Sequence, residues 1–104
     1  SDTGRIMETA YGASKGGVKG MVLPMARDLS RFRIRVNGIA PGVHDTLMGR
    51  SIETIVKQAL LEAIPLGRFG KPGEFAHAVK FLIENTYMCG SVLNEDGGLR
   101  VPFT

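Results

Sequence analysis

Val18, Met21, Val22, Met25 and Leu29 recur at the three- and four-residue spacing of one helical face. The spacing predicts a helix from about Ala10 to Leu29. Gly12, Gly16, Gly17 and Gly20, with Ala13, lie inside it. Each glycine costs about 1 kcal/mol relative to alanine in a helix interior. So many small residues on one helix imply that another backbone or a ligand lies close. Pro24 should loosen or kink the helix, because it lacks an N–H and clashes one turn back. The period then changes. Ile34, Val36 and Ile39 suit a strand over Ile34 to Ala40, which stops at the turn pair Pro41-Gly42.

Ile52, Ile55, Val56, Ala59 and Leu60 form a second helical stripe, over about Ser51 to Ala63. Ser51 is a suitable cap. Ile64 to Pro72 holds two prolines and two glycines and reads as a connector. A helix from Pro72 to Glu84 follows. Pro72 suits its first turn, Glu74 favours the positive end of its dipole, and Phe75, Val79 and Leu82 face inward. A short strand around Ser91 to Leu93 leads into a turn at Asp96-Gly97-Gly98. A helix, a strand and a Pro-Gly loop make the second half of a βαβ unit and point to a parallel α/β sheet. Two strands are marginal alone, so the pattern asks for partner strands.

Composition narrows the class. The chain has 104 residues, 43% hydrophobic and 22% charged, enough for one small domain and unlike a disordered segment. The net charge is +3, and only Arg31, Arg33 and Arg35 cluster, which argues against a nucleic-acid face. No apolar run reaches the roughly 18 residues of a membrane span, and no signal peptide is visible. Cys89 is the sole cysteine, so no internal disulfide forms. That suits a reducing interior, cytoplasm or mitochondrial matrix. Its expected role is a small half-buried apolar residue. His44, His77 and the acids lack zinc-ligand spacing, and His77 is expected as a half-buried structural histidine.

The chemistry lies in Tyr11-Gly12-Ala13-Ser14-Lys15. Tyr and Lys four apart share one helical face. A nearby ammonium stabilises a phenolate and eases proton transfer near neutral pH. Alone, such a pair is common on helix surfaces. Here Gly20-Met-Val-Leu-Pro-Met-Ala-Arg-Asp-Leu29 follows, then Arg35-Val-Asn-Gly-Ile-Ala-Pro-Gly42 and Thr46. The tail adds Phe75-Ala-His-Ala-Val79, Ile83-Glu-Asn85 and Gly90-Ser-Val-Leu-Asn-Glu-Asp-Gly97. This order resembles the short-chain dehydrogenase/reductase family, in particular its type-2 3-hydroxyacyl-CoA dehydrogenase branch, over nearly the whole chain from Thr9 onward.

The resemblance implies the C-terminal half of a doubly wound, Rossmann-like sheet, a partial oxidoreductase domain over residues 1–104. It implies an NAD or NADP cofactor and an acyl thioester or similar hydroxyl or ketone substrate. A homo-tetramer or homo-dimer is implied as well. Tyr11 would be the general acid/base. Lys15 would tune Tyr11 and hydrogen-bond the nicotinamide ribose. Pro41, Gly42 and Val43 would line the nicotinamide, with Gly42 letting backbone approach the ligand. Thr46 would hydrogen-bond the carboxamide or the pyrophosphate. Leu47 to Leu61 would be a mobile lid, its stripe covering an acyl chain or packing on the core. His44 would make a solvent or lid contact. A 3-oxoacyl-carrier-protein reductase using NADPH, a hydroxysteroid-type enzyme and a non-catalytic oligomerising piece are the alternatives. The family's Gly-rich pyrophosphate turn and catalytic Ser have no counterpart in the sequence, which starts just before the catalytic helix. The chain alone is therefore expected to be inactive.

Overall fold

The computed structural model describes residues 2–45 and 53–99, and for residues 2–15 the helical backbone alone. Asp2–Leu29 forms α1, longer at its start than the hydrophobic spacing marks. The helix runs on through Pro24. One turn before it stands Gly20, with nothing within 4 Å of where a Cβ would sit. Gly16 and Gly17 likewise have nothing within 4 Å among the described residues. After α1 the chain tightens into a 3-10 turn, Ser30–Phe32. Arg33 closes it with φ 61°, its N–H donating to Ser30 O at 2.9 Å. That left-handed residue ends the helix.

Strand β1 is Gly38–Pro41 and β2 is Val92–Glu95. They form a two-stranded sheet. Gly38 N–H donates to Ser91 O and Gly42 N–H to Glu95 O, both at 2.9 Å. Register advances in the same sense on both strands, so the pair is parallel, as the helix–strand–loop order requires. The strand expected from Ile34 starts four residues later. Opposite its lead-in, Gly90 has φ 76°, which breaks the pleat. Side chains take over there: Asn37 Nδ2 and Arg35 Nη1 donate to Met88 O at 2.9 and 3.1 Å, and Asn37 Oδ1 accepts from Ser91 N–H at 3.2 Å.

Thr54–Ala63 forms α2. Glu53 precedes its first turn, and Ser51, the expected cap, lies outside the described residues. Pro72–Glu84 forms α3, with the bounds its first-turn proline and acidic N-terminus predict. Glu74 Oε1 accepts from Lys71 N–H at 2.9 Å and satisfies one of the first-turn donors. Asp96-Gly97-Gly98 is the expected turn. Gly98 N–H donates to Asp96 Oδ1 at 3.0 Å, and both glycines have positive φ.

The described residues fall into two units. One takes in the chain up to Gly38 and Thr86–Val92; the other takes in Ile39–Asn85 and Leu93 onward. The first buries Val22 and Ala26, the second Ala40, Ile64 and Leu82. Both cores are thin, and Val18, Met21, Ile55, Leu66 and Ile83 stay exposed. No helix among the described residues is long and apolar enough to cross a membrane.

Candidate active site

Helix α1 carries Tyr11 and Lys15 four positions apart, one above the other on the same helical register. Their side chains, and all of Thr46, lie outside the described residues. Pro41, Gly42 and Val43 are described. The ladder's last bond falls at Gly42, so these residues leave the sheet past the carboxyl end of β1. Pro41 is exposed and Gly42 and Val43 are half-buried. This leaves an apolar, partly open lip.

Gly42 also makes a close approach within the chain. A Cβ there would meet Asp96 Cα at 2.7 Å and Asp96 Cβ at 2.8 Å. The missing side chain lets the loop lie against the residue that follows β2. Downstream, Gly70 N–H donates to Val43 O at 2.9 Å and Asp45 N–H donates to Gly70 O at 2.7 Å. These two bonds make an isolated parallel bridge between His44 and Gly70. The connector thus pins the loop.

His44 sits at this clamp, mostly covered rather than open to solvent, while Leu47 to Ile52 of the expected lid lie outside the described residues. Its side chain is 11% exposed. Its Nε2 lies 2.6 Å from Glu95 Oε2, and its Nδ1 lies 3.2 Å from Gly42 O. Its ring meets Phe75 edge to face, with centroids 5.7 Å apart. A cavity of about 320 Å³ opens beside it, bordered also by Val43, Arg68, Glu74, Glu95 and Asp96. Arg68 holds Glu74 in a two-bond fork, at 2.8 and 3.0 Å. The fork, with the Lys71 N–H, pulls the Glu74 carboxyl down to about 2, and Glu74 in turn raises the Arg68 guanidinium. With its guanidinium committed and three carboxylates around it, this cavity does not suit a diphosphate.

Other expected positions differ. His77 is exposed on α3, and Cys89 is exposed too, so neither is half-buried. Phe75 is only half-covered, while Leu82 is buried. On the expected lid, Leu47 to Ile52 lie outside the described residues. Ile55 is 82% exposed and Val56 is exposed as well, so this stripe does not pack on a core here. Among the described residues, no group of three His, Cys, Asp or Glu side chains gathers to hold a metal.

A family model described as enoyl-(acyl carrier protein) reductase matches residues 2–100. The chain belongs to the short-chain dehydrogenase/reductase family. A human short-chain dehydrogenase/reductase, 3-hydroxyacyl-CoA dehydrogenase type-2, is 43% identical over 99 residues, 94% of this chain and 38% of that protein. The 3-oxoacyl-[acyl-carrier-protein] reductase of Thermotoga maritima is 45% identical over 96 residues, covering 90% of this chain and 39% of its own. The solved 3-hydroxyacyl-CoA dehydrogenase type-2 of Mycobacterium avium superposes with TM-score 0.82 at 42% identity, over 92% of this chain and 38% of that one. The chain thus spans under two fifths of the length of these relatives. Dehydrogenases of this family generally use NAD(P). The helix–strand–helix order and parallel pair are the part of a Rossmann-like sheet that the resemblance implied.

Proposed function

We propose that the whole protein carrying this chain is an NAD(H)-dependent short-chain oxidoreductase. It interconverts 3-hydroxyacyl and 3-oxoacyl thioesters, and this chain supplies its proton-transfer half. The observation that carries the reading is the Pro41–Val43 loop, delivered past the carboxyl end of a parallel strand. Open α/β sheets bind their ligands at that end. The names of the relatives supply the substrate class.

In this reading Tyr11 takes the proton from the substrate hydroxyl, or returns it to the ketone oxygen. Lys15 stabilises the phenolate and hydrogen-bonds the nicotinamide ribose. Pro41, Gly42 and Val43 line the nicotinamide, and Thr46 holds the carboxamide or pyrophosphate. The dinucleotide, when bound, supplies or accepts the hydride. The exposed stripe of α2 belongs to a lid over the acyl chain. The exposed face of Val18, Met21 and Met25 on α1 meets another subunit in a homo-dimer or homo-tetramer. Residues 1–104 are part of one oxidoreductase domain, and the protein works in the cytoplasm or mitochondrial matrix. Gly16-Gly17-x-x-Gly20 lies within α1 and follows no strand, so it is a poor pyrophosphate turn. The isolated chain is therefore expected to bind no dinucleotide.

The test is Tyr11→Phe in the whole protein. It should lower kcat by about 10²–10⁴-fold and leave the KM for dinucleotide within about threefold. Undiminished kcat would sink the proposal. Comparing NADH with NADPH separates a second reading, a 3-oxoacyl-carrier-protein reductase, which relatives such as the Thermotoga maritima protein favour. A strict NADPH preference would select it.

A further inference from the structure

We infer that His44 and Glu95 are a positioning pair that fixes the Pro41–Val43 loop in its cofactor-facing conformation; this rests on the function proposed above. Four observations meet on one imidazole. The His44 side chain is 11% exposed and the Glu95 side chain 21%. Their Nε2 and Oε2 atoms lie 2.6 Å apart, and among the described residues neither atom has a hydrogen-bond partner. The close Nε2–Oε2 contact is what offsets their burial; a buried polar group left without a partner is costly. The other ring nitrogen, Nδ1, reaches back to Gly42 O at 3.2 Å. A single ring therefore touches the loop's own backbone and the last residue of β2 together.

Gly70 completes the device. A Cβ on Gly70 would stand 2.7 Å from His44 Cδ2 and 2.8 Å from Nε2. The ring fills the place that a side chain at 70 would need. Through that close approach the backbone bridge forms, with Gly70 N–H on Val43 O and Asp45 N–H on Gly70 O. Phe75 limits the ring from another side, edge to face. His44 is thus wedged between the connector, α3 and β2, and its place in the sequence follows directly on Val43. Neither His44 nor Glu95 acts on the substrate in this account. They hold the loop so that cofactor binding need not order it, and a contact made equally in ground and transition state shows in KM rather than kcat.

The test is steady-state kinetics of the whole protein with dinucleotide varied. His44→Ala should raise the KM for dinucleotide about tenfold, equivalent to about 1.4 kcal/mol, with kcat within about threefold. Glu95→Ala should do the same. Glu95→Gln, which keeps an amide beside Nε2, should recover most of the wild-type KM. His44→Phe is the companion variant if His44→Ala fails to fold. It fills the same space beside Phe75 but loses both polar contacts, so it should fold and still raise KM. A wild-type KM in folded His44→Ala or His44→Phe overturns the inference, as does a Glu95→Gln no better than Glu95→Ala. Tyr11→Phe runs alongside. If it is inactive while the His44 variants bind normally, the positioning role fails and the oxidoreductase reading stands. If it stays active, the oxidoreductase reading itself fails.

Discussion

Replacing Gly42 by alanine tests whether the loop's seat on β2 is real. The added Cβ would meet Asp96 Cα at 2.7 Å, its Cβ at 2.8 Å and its O at 3.2 Å. Carbon atoms in contact prefer about 3.5–4.0 Å. The overlap is with main chain, which cannot rotate aside as the tip of a side chain would. Relief requires the ends of β1 and β2 to separate, which strains the 2.9 Å bond from Gly42 N–H to Glu95 O. Overpacking of this kind costs about 1–3 kcal/mol, and a lost backbone hydrogen bond adds about 1 kcal/mol. The expected loss is about 2–4 kcal/mol. In a protein of the relatives' size, each kcal/mol moves Tm by about 2–4 °C, so Gly42→Ala should melt about 5–15 °C lower by calorimetry. Gly73→Ala is the control. It lies in the first turn of α3 with nothing within 4 Å of its Cβ position, and should melt at or slightly above wild type. Equal Tm values for wild type and Gly42→Ala would refute the close approach to Asp96.

Two further outcomes are expected. The depressed Glu74 carboxyl stabilises the fold fully above its ordinary value of 4.5, and that contribution fades as pH falls toward about 2. Glu74→Gln should therefore flatten the acid limb of a Tm-versus-pH curve in that window, and added salt should shrink the difference, since the pair is exposed. Identical acid limbs would rule out the Arg68 fork in solution. Leu82→Ala, at the core of its unit, should cost about 2–3 kcal/mol by urea denaturation. Ile55→Ala, on the exposed stripe of α2, should change stability by no more than about 0.5 kcal/mol. As a lid residue it should instead raise the KM for the acyl substrate.

The sequence showed the elements whose cause is local. Pro72 and Glu74 marked the start of α3, and Asp96-Gly97-Gly98 marked its turn, because caps and turns act over a few residues. The start of β1 was misplaced. Ile34 and Val36 have strand composition, but what faces them is set by Gly90, far along the chain. The same holds for the site. Tyr11, Lys15 and the Pro41–Val43 loop are candidates by spacing and turn chemistry alone. The contact of His44 with Glu95, and the fit of Gly42 against Asp96, exist only once β1 and β2 are side by side. The Arg68–Glu74 fork was within reach of the sequence, since an acid in the first turn of a proline-started helix with an arginine just before it is a local pattern. The exposure of His77 and Cys89 was not, because it depends on what else covers those faces.

The side-chain bonds that lead into the β1–β2 pairing join positions 51 to 54 residues apart, about half the chain. Contacts so distant in sequence form slowly, because loop-closure entropy opposes them before any ladder bond repays it. Helices α2 and α3 lie inside that loop and gain their hydrogen bonds locally. The Pro41–Val43 loop and its histidine wedge are therefore assembled late, in the same event that zips the sheet. Anything that delays that event leaves a chain rich in helix and without that loop in place.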